Sequence, residues 1–339
     1  MHSKLLMNLI SNKIFLEHDT GTGHPESAKR LMAFGDLPDT TIESGEPYLE
    51  LVHSKDYIEK VKEACSHGMP LDADTQTCEK SFEVACYAVG AAIQASKTNG
   101  FALVRPPGHH SYPTYGSGFC LFNNIAIATQ KLVNEGKRVL ILDFDGHLGD
   151  GTLHTFYKTD KVLFWSLHQY PAFPGGGFAD EIGEEKGKGY SINVPLPAGS
   201  SDDLFMHAIH NFMTIAKQFS PDVVAVSAGF DAYRLDPLLQ LNLSATTFYK
   251  TGQILKANFQ NIFAVLEGGY NTEYLPKCVY NFLAGINGEK IVLDEALTIS
   301  PAYIINEYEK RINVLKNSLN TLWDVTKINT HLSDSSLHQ

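Results

Sequence analysis

The chain has 339 residues, 43 % of them apolar, and its 38 acidic against 27 basic side chains leave a formal charge of −11. That length suits one large α/β unit or two ordinary domains and can bury a sizeable core. The acidic balance argues against a nucleic-acid binder, which would carry a basic footprint, but it leaves room for a basic protein or a cationic amine as substrate. Cys65, Cys78, Cys86, Cys120 and Cys278 are scattered and form no C-x-x-C pair. They read as small buried apolar residues in a reducing, cytoplasmic setting, not as a disulfide framework or a zinc ribbon. No apolar run approaches the ~20 residues that span a bilayer. The start, MHSKLLMNLISNK, lacks a small-residue cleavage site and does not read as a signal peptide.

In chain order, longer helical patterns alternate with short apolar runs. The helix SFEVACYAVGAAIQASK (81–97) leads to the strand GFALV (100–104), and NNIAIATQKLVNEGK (123–137) to RVLILDF (138–144) and KVLFWSL (161–167). SDDLFMHAIHNFMTIAKQF (201–219) precedes DVVAVSA (222–228), and SATTFYKTGQILKANF (244–259) precedes NIFAVLEGG (261–269). The runs are nearly continuous in Val, Ile, Leu and Phe, as parallel strands covered on both faces should be. Ser201 and Ser244 are candidate N-caps. This alternation predicts an α/β fold, a central, mostly parallel sheet flanked by helices in three layers. Residues 1–290 are expected to form the catalytic unit and 291–339 a helical extension packed on it. Within the extension, 303–327 has helical spacing, with Ile305, Tyr308, Ile312, Leu315 and Leu319 on one face, and the polar tail 330–339 is expected to fray.

The polar clusters recur at one place, just after a strand: His109 and His110, then Asp143 to Asp150, then Asp231, then Tyr270. In open parallel sheets the ligand site lies beyond the carboxyl ends of the strands, so four clusters distant in sequence should converge there. Each cluster alone has a bland explanation. Asp145-x-His147 could be loop capping, the histidines structural, and Tyr270 a packed aromatic. Together they suit metal-assisted hydrolysis.

Asp145 and His147, two apart at a strand end, present both side chains on one side, and Asp231 would complete an Asp-His-Asp set with an open position, as a catalytic Zn²⁺ requires. The His109/His110 pair suits proton transfer near neutral pH, with Asp143 and Asp150 left over to orient the two imidazoles. Tyr270 follows two glycines that allow close backbone approach, and its phenol could donate to a developing oxyanion.

Two other chemistries share parts of this pattern. LDFDG suggests a phosphatase with Asp143 as nucleophile and Asp145 as acid, but His147 follows Gly146 where Thr or Val is wanted, and the paired histidines would have no role. A two-metal, arginase-like site wants a second aspartate pair. Here SAGFDAYRLDP (227–237) carries Gly229 in place of the first aspartate of that pair, and Asp150 falls one position late. One divalent ion is the expected consequence.

The motifs GHPESAKRL (23–31), VHSKDYI (52–58), LDADT (71–75), RPPGHH (105–110), GFCLFNN (118–124), LDFDGHLGDGT (142–152), SLHQ (166–169), FPGGG (173–177), SAGFD (227–231), Asp236-Pro237 and LEGGYN (266–271) span nearly all of residues 15 to 290. In order and spacing they resemble the histone deacetylase family, of the arginase/deacetylase fold. The resemblance implies one Zn²⁺ on Asp145, His147 and Asp231. It implies His109 and His110 as the base and acid pair, backed by Asp143 and Asp150, with Tyr270 polarising the acyl carbonyl. Phe119 and Phe173, with Gly118 and Leu238, would wall a narrow tunnel for an aliphatic amine stem. Structural K⁺ is also implied, one ion held by Asp143, Asp145, His147, Ser166 and Leu167, and a second by Phe156, Thr159, Val162 and Tyr190. Tyr270 is Tyr and not the His that weakens deacetylation in some relatives, so activity is expected. Leu238 stands where polyamine-selective relatives carry a glutamate, which favours acyl-lysine in a protein or peptide. Acetylpolyamines and similar small acyl amines form the alternative substrate class, and a non-catalytic acyl-lysine reader a further one. Leu148 departs from the family's His-His-Gly, with no loss of zinc expected but loop hydrogen bonding in doubt.

Overall fold

The computed structural model describes residues 6–332. Seven strands form one sheet in the order β1-β2-β7-β6-β3-β4-β5. They are β1 (Leu9–Ile10), β2 (Phe101–Ala102), β3 (Val139–Asp143), β4 (Val162–Gln169), β5 (Ser191–Leu196), β6 (Val223–Ala228) and β7 (Ile262–Leu266). Every pairing is parallel. The helices are α1 (Lys29–Met32), α2 (Lys55–His67), α3 (Ser81–Thr98), α4 (Asn124–Asn134), α5 (Asp150–Phe156), α6 (Asp202–Phe219), α7 (Ala245–Asn258), α8 (Leu275–Asn287) and α9 (Ala302–Leu319). This is the flanked parallel α/β sheet that the alternating pattern predicts.

β3 lies at the heart of the sheet, between β4 and β6, and all five of its residues are buried. A strand covered on both faces can be apolar at consecutive positions, which is why VLIL shows no alternation. Phe144, one residue beyond β3, packs against Phe230, Phe248 of α7 and Phe282 of α8. The register pairs Asp143 with Ser166 on β4 and with Ser227 on β6. β3 and β6 therefore end nearly level, and the loops that follow them emerge side by side, while β4 runs on to Gln169.

Several elements differ from the sequence expectation. GFALV contributes only Phe101–Ala102 to the sheet, because the next residues run into Arg105-Pro106, and the residue before a proline and the proline itself both disfavour continued pairing. β5 was not foreseen; its Pro195 is tolerated because the strand lies at the sheet edge. Ser201 and Ser244 do occupy N-cap positions, but neither hydroxyl accepts a hydrogen bond from its own helix. Asp202 Oδ1 instead accepts from Ser244 N at 2.8 Å and Thr247 Oγ1 at 2.6 Å, tying the two helix starts together. Helix α9 ends at Leu319, well before residue 327. The chain turns back there, with Trp323 Nε1 donating to Gly189 O at 2.7 Å and Lys316 Nζ to Ile328 O at 2.6 Å. The face of α9 toward the body is Ile304, Tyr308, Ile312, Leu315 and Leu319, with Ile305 only half-buried. Of the tail 330–339, residues 333–339 lie outside the described residues. The five cysteines are free thiols, four buried and Cys78 half-buried. Among the described residues no helix is long and apolar enough to cross a membrane.

Candidate active site

Beyond the carboxyl ends of the strands, Asp145, His147 and Asp231 converge so that one ligand atom from each lies within 4.8 Å of the others. The first two leave β3 on the loop to α5; the third leaves β6. His147 Nδ1 stands 2.7 Å from Asp231 Oδ2 and 3.3 Å from Asp145 Oδ1. Backbone donors fix the carboxylates from behind: Gly268 N donates to Asp145 Oδ2 at 2.7 Å and Gly146 N to Asp231 Oδ1 at 2.6 Å. The donor set fits a divalent ion. Burial opposes charging His147, yet the carboxylates of Asp231 and Asp145 outweigh it and push the imidazole up to about 10. Two buried carboxylates thus draw a proton to the place where a cation would replace it.

Glycines keep this cradle clear. A Cβ at Gly268 would sit 2.6 Å from Asp145 Oδ2 and 2.7 Å from Asp231 Oδ2. At Gly229 any side chain would collide with Asp145 Oδ2. The position where a two-metal site needs an aspartate therefore has no room for one.

The histidine pair lies against the cradle. The ring centroids of His109 and His110 are 4.0 Å apart. His109 Nδ1 is 3.1 Å from Asp143 Oδ2, and its Nε2 faces Asp145 Oδ1 at 3.9 Å. His110 Nδ1 is 2.7 Å from Asp150 Oδ1. The two aspartates left over by the metal reading thus each meet one imidazole. Burial, and then the neighbouring His109, push His110 down to about 4. For His109 burial works the other way from its surroundings, and the carboxylates of Asp145, Asp143 and Glu267 win, raising it well above the ordinary imidazole value.

Tyr270 closes the opposite side. Its backbone N–H donates to Asp236 Oδ2 at 2.6 Å, and its ring meets Phe119 edge-on at 5.7 Å. A cavity of about 210 Å³ is lined by Asp74, His110, Gly118, Phe119, His147, Phe173, Leu238 and Tyr270. Phe119 adopts φ 70°, a left-handed backbone that bulky residues rarely take, so its ring is held as a wall by the structure around it. A Cβ at Gly118 would come within 2.5 Å of His110 Cδ2 and 3.0 Å of Phe173, so only glycine leaves the passage open there. All four residues expected to wall a tunnel line this cavity.

Apart from His147, none of the residues named for potassium lines the cavity. Asp143 pairs in register with Ser166, and Leu167 follows on β4. Phe156 O accepts from Thr159 N at 3.2 Å in the turn after α5, and Tyr190 O accepts from Phe164 N at 2.9 Å. Val162 opens β4. Leu148 is buried, and its carbonyl accepts from Asp150 N at 2.9 Å, so the loop keeps an internal hydrogen bond.

Three residues that the sequence motifs contain were not assigned a role from them. Asp74, in LDADT, lines the cavity. Asp236, before Pro237, anchors Tyr270 and also accepts from Asn271 N at 3.2 Å. Glu267, in LEGGYN, is fully buried and accepts from Gly108 N at 2.7 Å and His109 N at 3.1 Å, fixing the backbone of the histidine loop. Burial raises its carboxyl to about 7.

Parallel strands whose following loops bring an Asp-His-Asp cradle, paired imidazoles and a tyrosine together around one cavity define a hydrolase of the arginase/deacetylase fold. Comparison with known proteins is narrower: residues 27–286 match the histone deacetylase domain, and the chain belongs to the histone deacetylase family. It is 33 % identical to a probable deacetylase of Archaeoglobus fulgidus, over 96 % of this chain and 98 % of that protein. It is 35 % identical to the chloroplastic histone deacetylase 10 of Oryza sativa subsp. japonica, over 85 % of this chain and 75 % of that one. A histone deacetylase-like amidohydrolase of Pseudomonas aeruginosa is 32 % identical over 84 % of this chain and 82 % of its own. The crystal structure of the HDA15 HD domain superposes with a TM-score of 0.85 at 29 % identity, covering 94 % of this chain and 97 % of the other. The chain is accordingly a deacetylase or amidohydrolase of that family, acting on acyl amines.

Proposed function

We propose that the protein is a zinc-dependent deacetylase that removes acetyl or other acyl groups from lysine side chains. One observation carries this reading: His147 of the Asp-His-Asp cradle, His110 of the histidine pair and Tyr270 border one narrow cavity with Phe119, Phe173 and Leu238 as apolar walls. Asp145, His147 and Asp231 would hold a zinc ion, which would supply Lewis acidity toward the acyl carbonyl and toward the attacking water. The walls receive the aliphatic stem of the lysine and exclude water from it. His110 borders the cavity and is held neutral, so it can take the proton of the attacking water and later give it to the leaving amine. Asp150 orients that imidazole, and Asp143 orients His109 toward the cradle. Tyr270 donates its phenolic hydrogen to the oxyanion that develops on the acyl oxygen.

The potassium sites named above, a cytoplasmic location, and the assignment of residues 291–339 as an extension of one catalytic domain belong to the same proposal. A small acyl amine is the second reading, favoured by Asp74 on the cavity lining, since a carboxylate there suits a cationic substrate.

The test is turnover of an acetyl-lysine peptide and of acetylspermidine by the parent and by Tyr270→Phe. The variant should retain one zinc and lose about 10²-fold to 10³-fold in kcat, the usual effect of removing one oxyanion donor. Near-normal turnover by Tyr270→Phe, or turnover indifferent to a chelator, would overturn the mechanism. A kcat/KM that favours acetylspermidine would replace the protein substrate by the small amine.

A further inference from the structure

Behind the active site, away from the cavity lining, lies a buried ionic cluster that the mechanism does not use. Glu26, Arg30 and Arg105 are each fully buried. Arg105 grips the carboxylate bidentately, Nε to Oε1 at 2.5 Å and Nη2 to Oε2 at 2.8 Å. Arg30 Nη1 shares Oε1 at 3.1 Å. His18 Nε2 stands 3.6 Å from Oε2, but burial lowers that imidazole to about 4 and it brings no charge near neutrality. Burial also works against the Glu26 carboxylate, and the two guanidinium groups overcome it, holding the group down at about 2.

A buried ion pair is a weak way to stabilise a fold, because apolar residues of similar volume often serve as well or better. The position of this one is more informative. Arg105 opens the RPPGHH loop, four and five residues before His109 and His110. Its Nη1 also donates to Phe15 O at 3.1 Å, so it cannot follow the loop if the loop shifts. Arg30 reaches the other catalytic loop: Nε donates to Gly269 O at 2.7 Å, Nη2 to Glu267 O at 2.5 Å, and its guanidinium carbon lies 4.9 Å from the centroid of the Tyr270 ring. Glu267 in turn returns to the first loop through its side chain, accepting from Gly108 N and His109 N. The tyrosine loop and the histidine loop are thus joined twice, once by the Glu267 carboxylate and once through Glu26.

We infer that Glu26 is a positioning residue for hydrolysis: by holding Arg30 and Arg105 on one carboxylate, it sets the separation between the Tyr270 phenol and the histidine pair across the cavity. It touches neither substrate nor the metal cradle. Its effect is therefore expected in the chemical step and not in metal or substrate binding. The inference rests on the catalytic roles proposed above for Tyr270 and the histidines.

The experiment compares the zinc-loaded parent with Glu26→Gln and Arg30→Lys, measuring kcat and KM on an acetyl-lysine peptide, zinc per chain and thermal unfolding. Glu26→Gln keeps the shape and removes the charge that both arginines share. A displacement on the order of 1 Å in a catalytic group costs about 10²-fold in rate, so kcat should fall by about that factor, with KM within about threefold and one zinc retained. Arg30→Lys keeps a cation beside Glu26 but gives up the fork onto Gly269 and Glu267, and should lose roughly 10-fold in kcat by the same reasoning. If Glu26→Gln fails to fold, Arg30→Lys decides alone. The inference is overturned if the folded variants keep kcat within about threefold of the parent, or if the loss appears in KM or in zinc content. Tyr270→Phe separates this outcome from failure of the mechanism: if that variant turns over normally the catalytic assignment falls, whereas loss there with normal Glu26→Gln kinetics removes only the positioning role.

Discussion

The floor of the cavity and its mouth are built from opposite materials. Just beneath a floor that His110 and His147 line, Asp143 and Asp145 are 0 % exposed, Asp231 1 % and His109 2 %, and most of their polar atoms meet a fixed partner. At the mouth Phe173 is 49 % exposed, and Tyr115 and Phe178 are 45 % and 44 % exposed nearby in the sequence of the two rim loops. Buried charge tolerates no slack, since an unpaired group in a low dielectric is costly. An exposed aromatic tolerates a great deal. Under the proposed function, the contrast would put the reaction on the floor and the choice of acyl amine at the mouth.

That division can be broken, and the largest effect should come from the floor. Asp231→Ala removes one carboxylate of the three proposed ligands and leaves His147 without its 2.7 Å partner. Zinc content should drop below one per chain and kcat/KM by at least about 10³-fold, given the several kcal/mol a Lewis acid contributes to an acyl-transfer barrier. Metal analysis and peptide turnover measure both, and a zinc-replete, active variant would contradict the cradle. At the mouth, Phe173→Ala should act on KM by roughly 10-fold, the worth of an apolar contact in a binding pocket, with kcat little changed. A loss confined to kcat would mean that the mouth shapes the chemistry as well, through the 5.1 Å contact of Phe173 with His110.

The smallest effect concerns stability. Burial works to raise the Glu26 carboxyl, but the guanidinium groups of Arg105 and Arg30 win and hold it down at about 2, below its ordinary 4.5. A depressed carboxyl contributes stability above its unfolded value, and that contribution is lost as pH falls through the folded one. The difference in melting temperature between the parent and Glu26→Gln should therefore be full above about pH 4.5 and close progressively toward pH 2. A gap independent of pH over that window would mean that the two arginines do not act through this charge.

The sheet was legible in the sequence because a strand covered on both faces writes itself as an unbroken apolar run, as in VLIL. The cradle and the histidine pair were legible because Asp145-x-His147 and His109-His110 are local patterns placed after such runs. Two-residue β1 carries too little pattern to recognise, and β5 is broken by a proline. Glu267 and Glu26 escaped for another reason. Glu267 meets Gly108 159 residues away and Glu26 meets Arg105 79 residues away; only Arg30, four residues on, is local to Glu26, and since Glu and Arg are usually exposed nothing local announces that these carboxylates are buried. Asp74 was inside a motif and Leu238 directly after one, but only the folded chain brings them to the same cavity.

Gly229 has a consequence for anyone who would redesign this centre. Arginase-type chemistry needs a second ion beside the first, and the obvious route is to write an aspartate at that position. The space is already taken by the carboxylate of Asp145, which is itself pinned by Gly268 N at 2.7 Å. A binuclear variant is thus out of reach of any single substitution there; the backbone after β3 and the one after β6, which carries Gly229, would have to part first. The choice between one ion and two is made by main-chain spacing, and changing it is a task for loop remodelling.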